Sequence, residues 1–432
     1  MSGLCKFYKV VRQVSYDSGV TWVNIGETQK GDLYEYNSPE CGGSITQYRW
    51  VDVTGAYTCE GTTKYQKTKR QYSEDGGQTW QDVSPAEYGK SSVIEYYSED
   101  CGGGGDYQGQ YFTFVSINDG KYMFSNNRVS YSIDEGNTWS TLASDTYSPT
   151  VYAGQKIMWK GNLTPNSDFG IGTFSSTNRF NVEGNAMSLL YGDNFTNETS
   201  LEGKDYAFGW LFSGNTKVVS AKNLVLPAAT LAPHCYAWMF AHCTSLITMP
   251  SLPATTLAEN CYSSMFFDCT SLTTAPVLPA TTLAERCYLN MFAACSSLTT
   301  VPSNMLSATT LAEGCYWQMF WTCSSLIAAP ELPATTLANS CYRGMFTGCK
   351  KLTTAPVLPA TTLAEKCYSS MFWDCSSLNY IKCLATNISA TDCTKEWVYK
   401  VSSSGTFIKN SSMSGWTRGV NGIPTNWSVQ NA

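Results

Sequence analysis

The chain has 432 residues, a net charge of −6, 43% apolar residues and only 14% charged residues. An acidic chain without a basic stripe has nothing to neutralise phosphates, which argues against binding to nucleic acid. His234 and His242 are the two histidines, so imidazole-based acid–base catalysis has little material.

No stretch approaches the roughly 18 consecutive apolar residues that a membrane helix needs. Residues 1–19 contain no apolar segment of the kind that secretory signals carry. We therefore expect a chain that does not insert into membranes, folds in the cytoplasm and leaves by a route other than general secretion. Acidic residues are scattered without metal-ligand spacing, and no lysine and helix start follow the glycine run 102–105. The sequence thus predicts no metal, no cofactor and no enzymatic activity.

The N-terminal third repeats the pattern S-x-D-x-G-x-T-W, which begins at Ser15, Ser73 and Ser132, with spacings of 58 and 59 residues. Such a pattern is typical of a hairpin turn in which the Asp carboxylate accepts backbone N–H groups, the Gly adopts positive φ and the Trp packs beneath. We therefore predict an all-β region over residues 1–150. The predicted turn residues are Asp17, Gly19, Trp22, Asp75, Gly77, Trp80, Asp134, Gly136 and Trp139.

This motif resembles the Asp-box of sialidases and related β-propellers, in which the box is structural and lies away from the active site. A sialidase would also need an arginine triad, usually announced by an R-I-P motif, and no R-I-P occurs here. Three boxes between residues 15 and 139 are also too few for a six-bladed propeller. The resemblance therefore implies a structural role. Residues 151–205, rich in Gly, Asn and Ser, are predicted to form a β-module or an N-terminal cap.

Residues 206–382 repeat the pattern C-Y-x-x-M-F-x-x-C six times, after a degraded copy with Ala207 and Asn215 in place of the cysteines. Repetition at a fixed period predicts a solenoid of stacked units. If the first cysteine is position 0, the invariant positions 0, 1, 4, 5 and 8 fit the buried face of a helix. Thr256 and Glu259 match a helix capping box, and the S-L-T-T-A-P that follows predicts a short strand. The leading cysteines, spaced by 26 residues with one step of 28, are Cys235, Cys261, Cys287, Cys315, Cys341 and Cys367.

The repeats resemble the BspA-like (Treponema-type) leucine-rich repeats, which carry an aromatic-rich helix followed by x-C-x-x-L. That resemblance implies adhesion or partner binding outside the cell rather than catalysis. The predicted fold class is α+β: N-terminal all-β modules, then a leucine-rich-repeat solenoid of about seven helix-plus-strand units, then a C-terminal cap. The predicted domains are 1–150, 151–205, 206–382 and 383–432, the last because terminal units of a stack are usually atypical.

The repeats also contain twelve of the 18 cysteines. Two cysteines of one repeat, such as Cys261 and Cys269, are eight residues apart, which is about 12 Å on a helix. A disulfide needs a Cα spacing of about 5.5 Å. We therefore predict buried free thiols that behave as small apolar side chains.

Positions 2, 3, 6 and 7 of the repeat vary and lie off the predicted buried stripe. Aromatic side chains at such positions indicate a partner surface, and flat rings also suit stacking on sugars. An alternative is that large and small residues alternate because neighbouring units interdigitate. The candidate binding residues are Trp238, Phe267, Trp317, Trp321 and Trp373.

The pairing of Asp-box units with L-P-A-T-T-L-A repeats resembles proteins of gut Bacteroidales and their phages, including crAss-like phages. This resemblance implies a non-enzymatic virion protein, a fibre, tail or head-decoration component that attaches to a host surface protein or glycan. A bacterial cell-surface adhesin is the alternative, and a carbohydrate-active enzyme, which would need a carboxylate pair in a cleft, is a remote one. Expected partners are other virion proteins and the host protein or glycan, with a homo-oligomer possible.

Overall fold

The computed structural model describes residues 107 and 109–432, together with residues 79–83 and the strands of the first hundred residues. The chain divides into two compact units, Met1–Gly105 and Asp106–Ala432. The third S-x-D-x-G-x-T-W segment, which begins at Ser132, belongs to the second unit.

In the first unit, β1 pairs with β4, β2 pairs with β3, and β6 pairs with β5, β7 and β8, all antiparallel. The Arg49 guanidinium lies 4.1 Å above the Trp80 ring and donates to Gln71 at 2.9 Å, which links β5 to β6. Of the turn residues predicted in this unit, Asp17, Gly19, Trp22, Asp75 and Gly77 lie outside the described residues. The strands are β1 (Cys5–Val10), β2 (Gln13–Val14), β3 (Val23–Asn24), β4 (Gln29–Tyr36), β5 (Gln47–Glu60), β6 (Thr63–Ser73), β7 (Gln81–Asp82) and β8 (Tyr88–Glu95).

The second unit opens with a six-stranded sheet in the order β12-β11-β13-β9-β15-β16, antiparallel except for the parallel pair β15–β16. Strands β10 and β14 form a separate antiparallel pair. Phe114 is in ring contact with Trp159, Phe174 and Phe212, and all four side chains are fully buried, so aromatic packing supplies this core. The elements are β9 (Phe112–Ser116), β10 (Tyr122–Phe124), β11 (Val129–Ser132), β12 (Ser140–Leu142), β13 (Lys156–Lys160), β14 (Phe174–Ser176), β15 (Phe180–Asn185), α1 (Ser188–Tyr191), a 3₁₀ helix (Gly192–Asn197) and β16 (Val218–Val225).

From residue 206 to residue 401 the repeats lie one on the next, and we call this region the repeat stack. The prediction of helix-plus-strand units is wrong, and with it the α+β class and the leucine-rich-repeat solenoid. Within the described part of the chain, the four-residue α1 is the only α-helix, and the fold is mostly β with successive turns in each repeat. Between the strands Val218–Val225 and Tyr380–Cys383, the segments predicted as strands contribute only isolated bridges such as Thr274–Thr300, not the continuous sheet that such a solenoid requires.

The backbone N–H groups of a repeat alternate between two kinds of acceptor. The Ala237 N–H donates to the His234 carbonyl three residues earlier, at 3.0 Å. The Tyr236 N–H instead donates to the Cys261 carbonyl of the next repeat, at 2.9 Å. Since every buried N–H needs an acceptor, each repeat depends on the following repeat for half of its turn region.

Every fourth residue of these turns adopts positive φ, at positions −1, 3 and 7. In the second full repeat these residues are Asn260, Ser264 and Asp268, with φ of 51°, 55° and 57°. An α-helix needs φ near −63° at every residue, so this backbone cannot be helical. Each left-handed residue is the third residue of a turn, as in a type II turn. The resulting period of four still places the invariant positions on one face, and their side chains are at most 2% exposed.

The predicted helix caps have another role. The Thr256 N–H donates to the Ala229 carbonyl at 3.1 Å, and Thr256 forms a parallel bridge with Thr230. Thr282 forms the same kind of bridge with Thr310 of the following repeat. The threonines therefore extend the pairing between repeats, because no helix start is present for them to cap.

Identical side chains stack in ladders through the repeat stack. Adjacent tyrosine rings from Tyr236 to Tyr368 are 5.5–6.1 Å apart, and adjacent phenylalanine rings from Phe240 to Phe372 are 5.6–5.9 Å apart. The fourteen described cysteines are buried and free, which confirms the prediction of free thiols, although not the helical spacing behind it. The Cys269 thiol donates to the Phe240 carbonyl at 3.1 Å, so it also bonds between repeats.

The stack ends at a parallel three-stranded sheet of β17 (Tyr380–Cys383), β18 (Thr406–Lys409) and β19 (Ser428–Asn431). The Trp397 ring covers the last ring of the tyrosine ladder, 6.3 Å from Tyr368, and stacks on Trp416 at 5.5 Å. Among the described residues, no helix has the length and apolar character to cross a membrane.

Candidate binding surface

The five predicted aromatic residues all lie partly exposed on the repeat stack. Phe267, Trp321 and Trp373 occupy position 6, Trp317 occupies position 2, and Trp238 occupies the left-handed position 3, with φ of 60°. Because hydrogen bonds register each repeat on the next, one position of successive repeats forms a row. The structure therefore distributes these rings along the stack in three clusters rather than in a single pocket.

The first cluster surrounds Phe267. Its ring lies 6.1 Å from Trp238 and 5.2 Å from His242, measured between ring centroids. His242 Nδ1 lies 3.0 Å from Asp268 Oδ2, an exposed contact between position 7 of neighbouring repeats. A half-buried aromatic pair is therefore bordered by one polar pair.

The second cluster combines aromatic rings with a cation. The Arg343 guanidinium lies 4.6 Å above the Trp317 ring, both at position 2 of adjacent repeats. Trp321 has small residues beside it in its own row, Ala293 and Thr347, both of which are buried. Interdigitation of neighbouring units would also produce this alternation of large and small residues. Trp317 and Trp321 nevertheless stay partly exposed, so both rings remain accessible to a partner.

The third cluster lies at the C-terminal end and includes residues that the sequence pattern did not single out. Trp373 stacks on Tyr399 at 5.6 Å, and Lys400 Nζ lies 5.7 Å and 5.4 Å from these two rings. Tyr399 and Lys400 belong to a further turn segment with left-handed residues at Asp392, Glu396 and Lys400. Cys393 follows Cys367 by 26 residues, the period of the repeats, and this spacing was the sequence signal that could have identified the further segment.

The third S-x-D-x-G-x-T-W segment forms the turn between β11 and β12. The Asp134 carboxylate accepts the Thr138 N–H at 2.9 Å, the Thr138 hydroxyl at 2.6 Å and the Ser132 hydroxyl at 2.7 Å. These bonds, those of Thr138 first, lower the pKa of Asp134 to about 2. Gly136 has φ of 87°, and Trp139 Nε1 donates to its carbonyl at 3.0 Å. The carboxylate is therefore occupied in holding the turn.

The buried thiols of the stack are poorly suited to act as nucleophiles. Burial raises the pKa of Cys261 and Cys315 to about 12, so the thiolate is not populated at neutral pH. Within the described ranges, no group of three or more His, Cys, Asp or Glu side chains is placed to hold a metal ion. What the three clusters offer chemically is apolar ring surface beside a charged group, which suits binding.

No family model, curated protein or solved structure matches this chain. The likeness of its repeats to BspA-like proteins therefore stays a prediction from the residues quoted above.

Proposed function

We propose that the chain is a non-enzymatic binding protein that attaches to a cell-surface protein or glycan through the repeat stack. The observation that carries this proposal is that different positions of each repeat form its core and its exposed surface. Invariant positions 0, 1, 4, 5 and 8 form the core and are at most 2% exposed, whereas the variable positions present partly exposed Trp, Phe, Tyr and Arg side chains. Core and surface can thus change independently.

The composition of the clusters supports this role. Trp, Tyr and Arg are the residues most enriched among those that dominate binding energy at interfaces. Arg343 over Trp317 and Lys400 beside Trp373 also place cations against ring faces, which fixes the rings in position. A preordered ring loses little conformational entropy when a partner covers it.

The setting that we propose rests on the sequence resemblance alone. It is the outer surface of a phage particle, with a bacterial cell surface as the alternative. Mass spectrometry of purified particles and of the host envelope separates them, since only a virion component is found in particles at stoichiometric levels.

Attachment is tested with fluorescently labelled full chain on a panel of gut Bacteroidales cells, measured by flow cytometry. Replacing Trp373 and Tyr399 together by alanine is expected to weaken binding at least tenfold, because two stacked rings are lost from the surface. Val357→Ala, at an exposed apolar side chain outside the clusters, is the matched control and should bind normally. Full binding by the double variant and by the equivalent Trp317/Trp321 variant would refute the role of the stack.

A further inference from the structure

A groove of about 400 Å³ opens where the repeat stack begins, between residues 164–167 and residues 203–206. Small-ligand sites begin at about this size. The groove is separate from the three aromatic clusters, and no predicted site residue lines it.

One wall of the groove is held by backbone contacts. A Cβ added to Gly170 would lie 2.6 Å from the Tyr206 carbonyl oxygen, so the two segments touch main chain to main chain. Asn166 and Gly170 exchange backbone hydrogen bonds of 3.0 Å. The Asn166 carboxamide oxygen also accepts the N–H groups of Asp168 and Phe169, which leaves its NH₂ group to donate elsewhere. The wall is thus preformed.

The other wall carries an aromatic ring. Tyr206 lines the groove, and its ring is parallel to those of His234, at 4.5 Å, and Trp210, at 5.9 Å. The Tyr206 N–H donates to the Pro233 carbonyl at 3.0 Å, which anchors this left-handed residue. Burial lowers the pKa of His234, so its imidazole is uncharged at neutral pH. Tyr206 is therefore held against two other rings, and of the three it is the one that lines the groove.

The remaining lining side chains supply hydrogen bonds of both kinds with no net charge. Lys204 donates, Asp205 accepts, and the hydroxyls of Thr164 and Ser167 do both. A saccharide ring has an apolar C–H face and several hydroxyls, each a donor and an acceptor, so it matches a ring surface beside mixed polar groups. Because the charges of Lys204 and Asp205 offset each other, the lining gives a phosphorylated or carboxylated ligand no net attraction.

We propose that this groove binds a neutral saccharide, with the Tyr206 ring against the apolar face of the sugar and Lys204 and Asp205 bonded to its hydroxyls. This inference rests on the proposed binding function and names a ligand class for it. The sugar would be held at the base of the stack, while the aromatic clusters contact the rest of the surface that carries it.

The test uses the full chain on a printed array of neutral and acidic oligosaccharides, followed by calorimetric titration with the neutral glycan retained best. We expect Tyr206→Ala to weaken that binding about tenfold or more, the loss of one stacked ring, and Tyr206→Phe to retain it. Asp205→Lys, at an exposed side chain outside the core, should also lose it with an unchanged melting temperature. Val357→Ala, at an exposed apolar side chain that does not line the groove, is the control and should bind the glycan normally.

Retention of no neutral glycan, a preference for acidic glycans, or equal affinity in Tyr206→Ala and Asp205→Lys would each overturn the saccharide site. If cell attachment is then still lost in the aromatic-cluster variants, the proposed function stands and the groove proposal alone fails. If the glycan binds through Tyr206 while the cluster variants attach normally, the groove proposal stands and the role of the clusters fails.

Discussion

Two neighbouring alanines give a direct test of the turn backbone. Ala294 has φ of 62°, whereas Ala293 is fully buried and does not belong to the positive-φ residues. Each is replaced in turn by glycine in the full chain. If this segment were an α-helix, both substitutions would destabilise it by about 1 kcal/mol, because glycine is the poorer helix former.

The left-handed backbone predicts effects of opposite sign. Left-handed conformation costs an L-residue about 1–2 kcal/mol, and glycine removes this cost at Ala294. The greater freedom of glycine in the unfolded chain offsets about 0.4–1 kcal/mol of that gain, so Ala294→Gly should be neutral to stabilising by about 1 kcal/mol. Ala293→Gly loses about 0.5–1 kcal/mol of backbone entropy and roughly 0.8 kcal/mol for a buried methyl group. It should destabilise by about 1.5 kcal/mol.

The assay is equilibrium unfolding in urea, followed by tryptophan fluorescence and circular dichroism, with the midpoints of both variants compared with the parent chain. We expect the midpoint to rise or stay for Ala294→Gly and to fall for Ala293→Gly. Gly348 occupies the position equivalent to Ala294 two repeats later and has φ of 74°. The unfolding midpoint of Gly348→Ala should therefore also fall. Equal losses in both alanine variants would refute the turn backbone and restore the helix.

The core and the turn at Asp134 give three further predictions. Phe292→Ala, in the middle of the phenylalanine ladder, should destabilise the chain by about 3–5 kcal/mol, and Phe292→Leu by less; unchanged thermal unfolding of Phe292→Ala would contradict the ladder. In the folded chain, a thiol-specific dye at pH 8 should modify at most the four cysteines that do not belong to the fourteen buried ones, namely Cys5, Cys41, Cys59 and Cys101. After denaturation in guanidinium it should modify all 18. Hydrogen bonds lower the pKa of Asp134 to about 2 from an ordinary value of 3.8. Its stabilising contribution is therefore complete above pH 3.8 and is lost as the pH falls towards 2. Between pH 6 and pH 2, the melting temperature should fall less steeply for Asp134→Asn than for the parent chain.

The sequence revealed the period and the buried face of each repeat but not its backbone. Positions 0, 1, 4, 5 and 8 are compatible with a 3.6-residue helix, yet they recur at a strict period of four, as alternating turns require. A second signal lay at positions −1, 3 and 7, where Gly314, Gly344 and Gly348 occur among Asn, Asp and Ser residues. Gly, Asn and Asp tolerate the left-handed conformation best, whereas Trp238 and Arg286 at the same positions conceal the signal.

The prediction that the aromatic candidates lie off the buried face was correct, although it was derived from a helix that is not present. A period of four and a period of 3.6 diverge by less than one position over two turns, so both keep position 6 away from the core. The groove at Tyr206 could not be found this way. It depends on Gly170, which lets residues 164–167 approach the first repeat, and no local pattern relates these distant segments.

The direction of the hydrogen bonds explains why the two ends of the repeat stack carry different caps. In its turn region, each repeat donates N–H groups to the carbonyls of the next, so the turns of the first repeat leave carbonyls without a repeat partner and those of the last leave N–H groups without one. At the first repeat, the Phe174 N–H donates to the Leu211 carbonyl at 2.7 Å. At the last, the Asn421 carboxamide oxygen accepts the Glu396 N–H at 2.6 Å. Neither cap can replace the other, whereas a repeat inserted between them satisfies its neighbours fully, so the stack can lengthen without a change at either end.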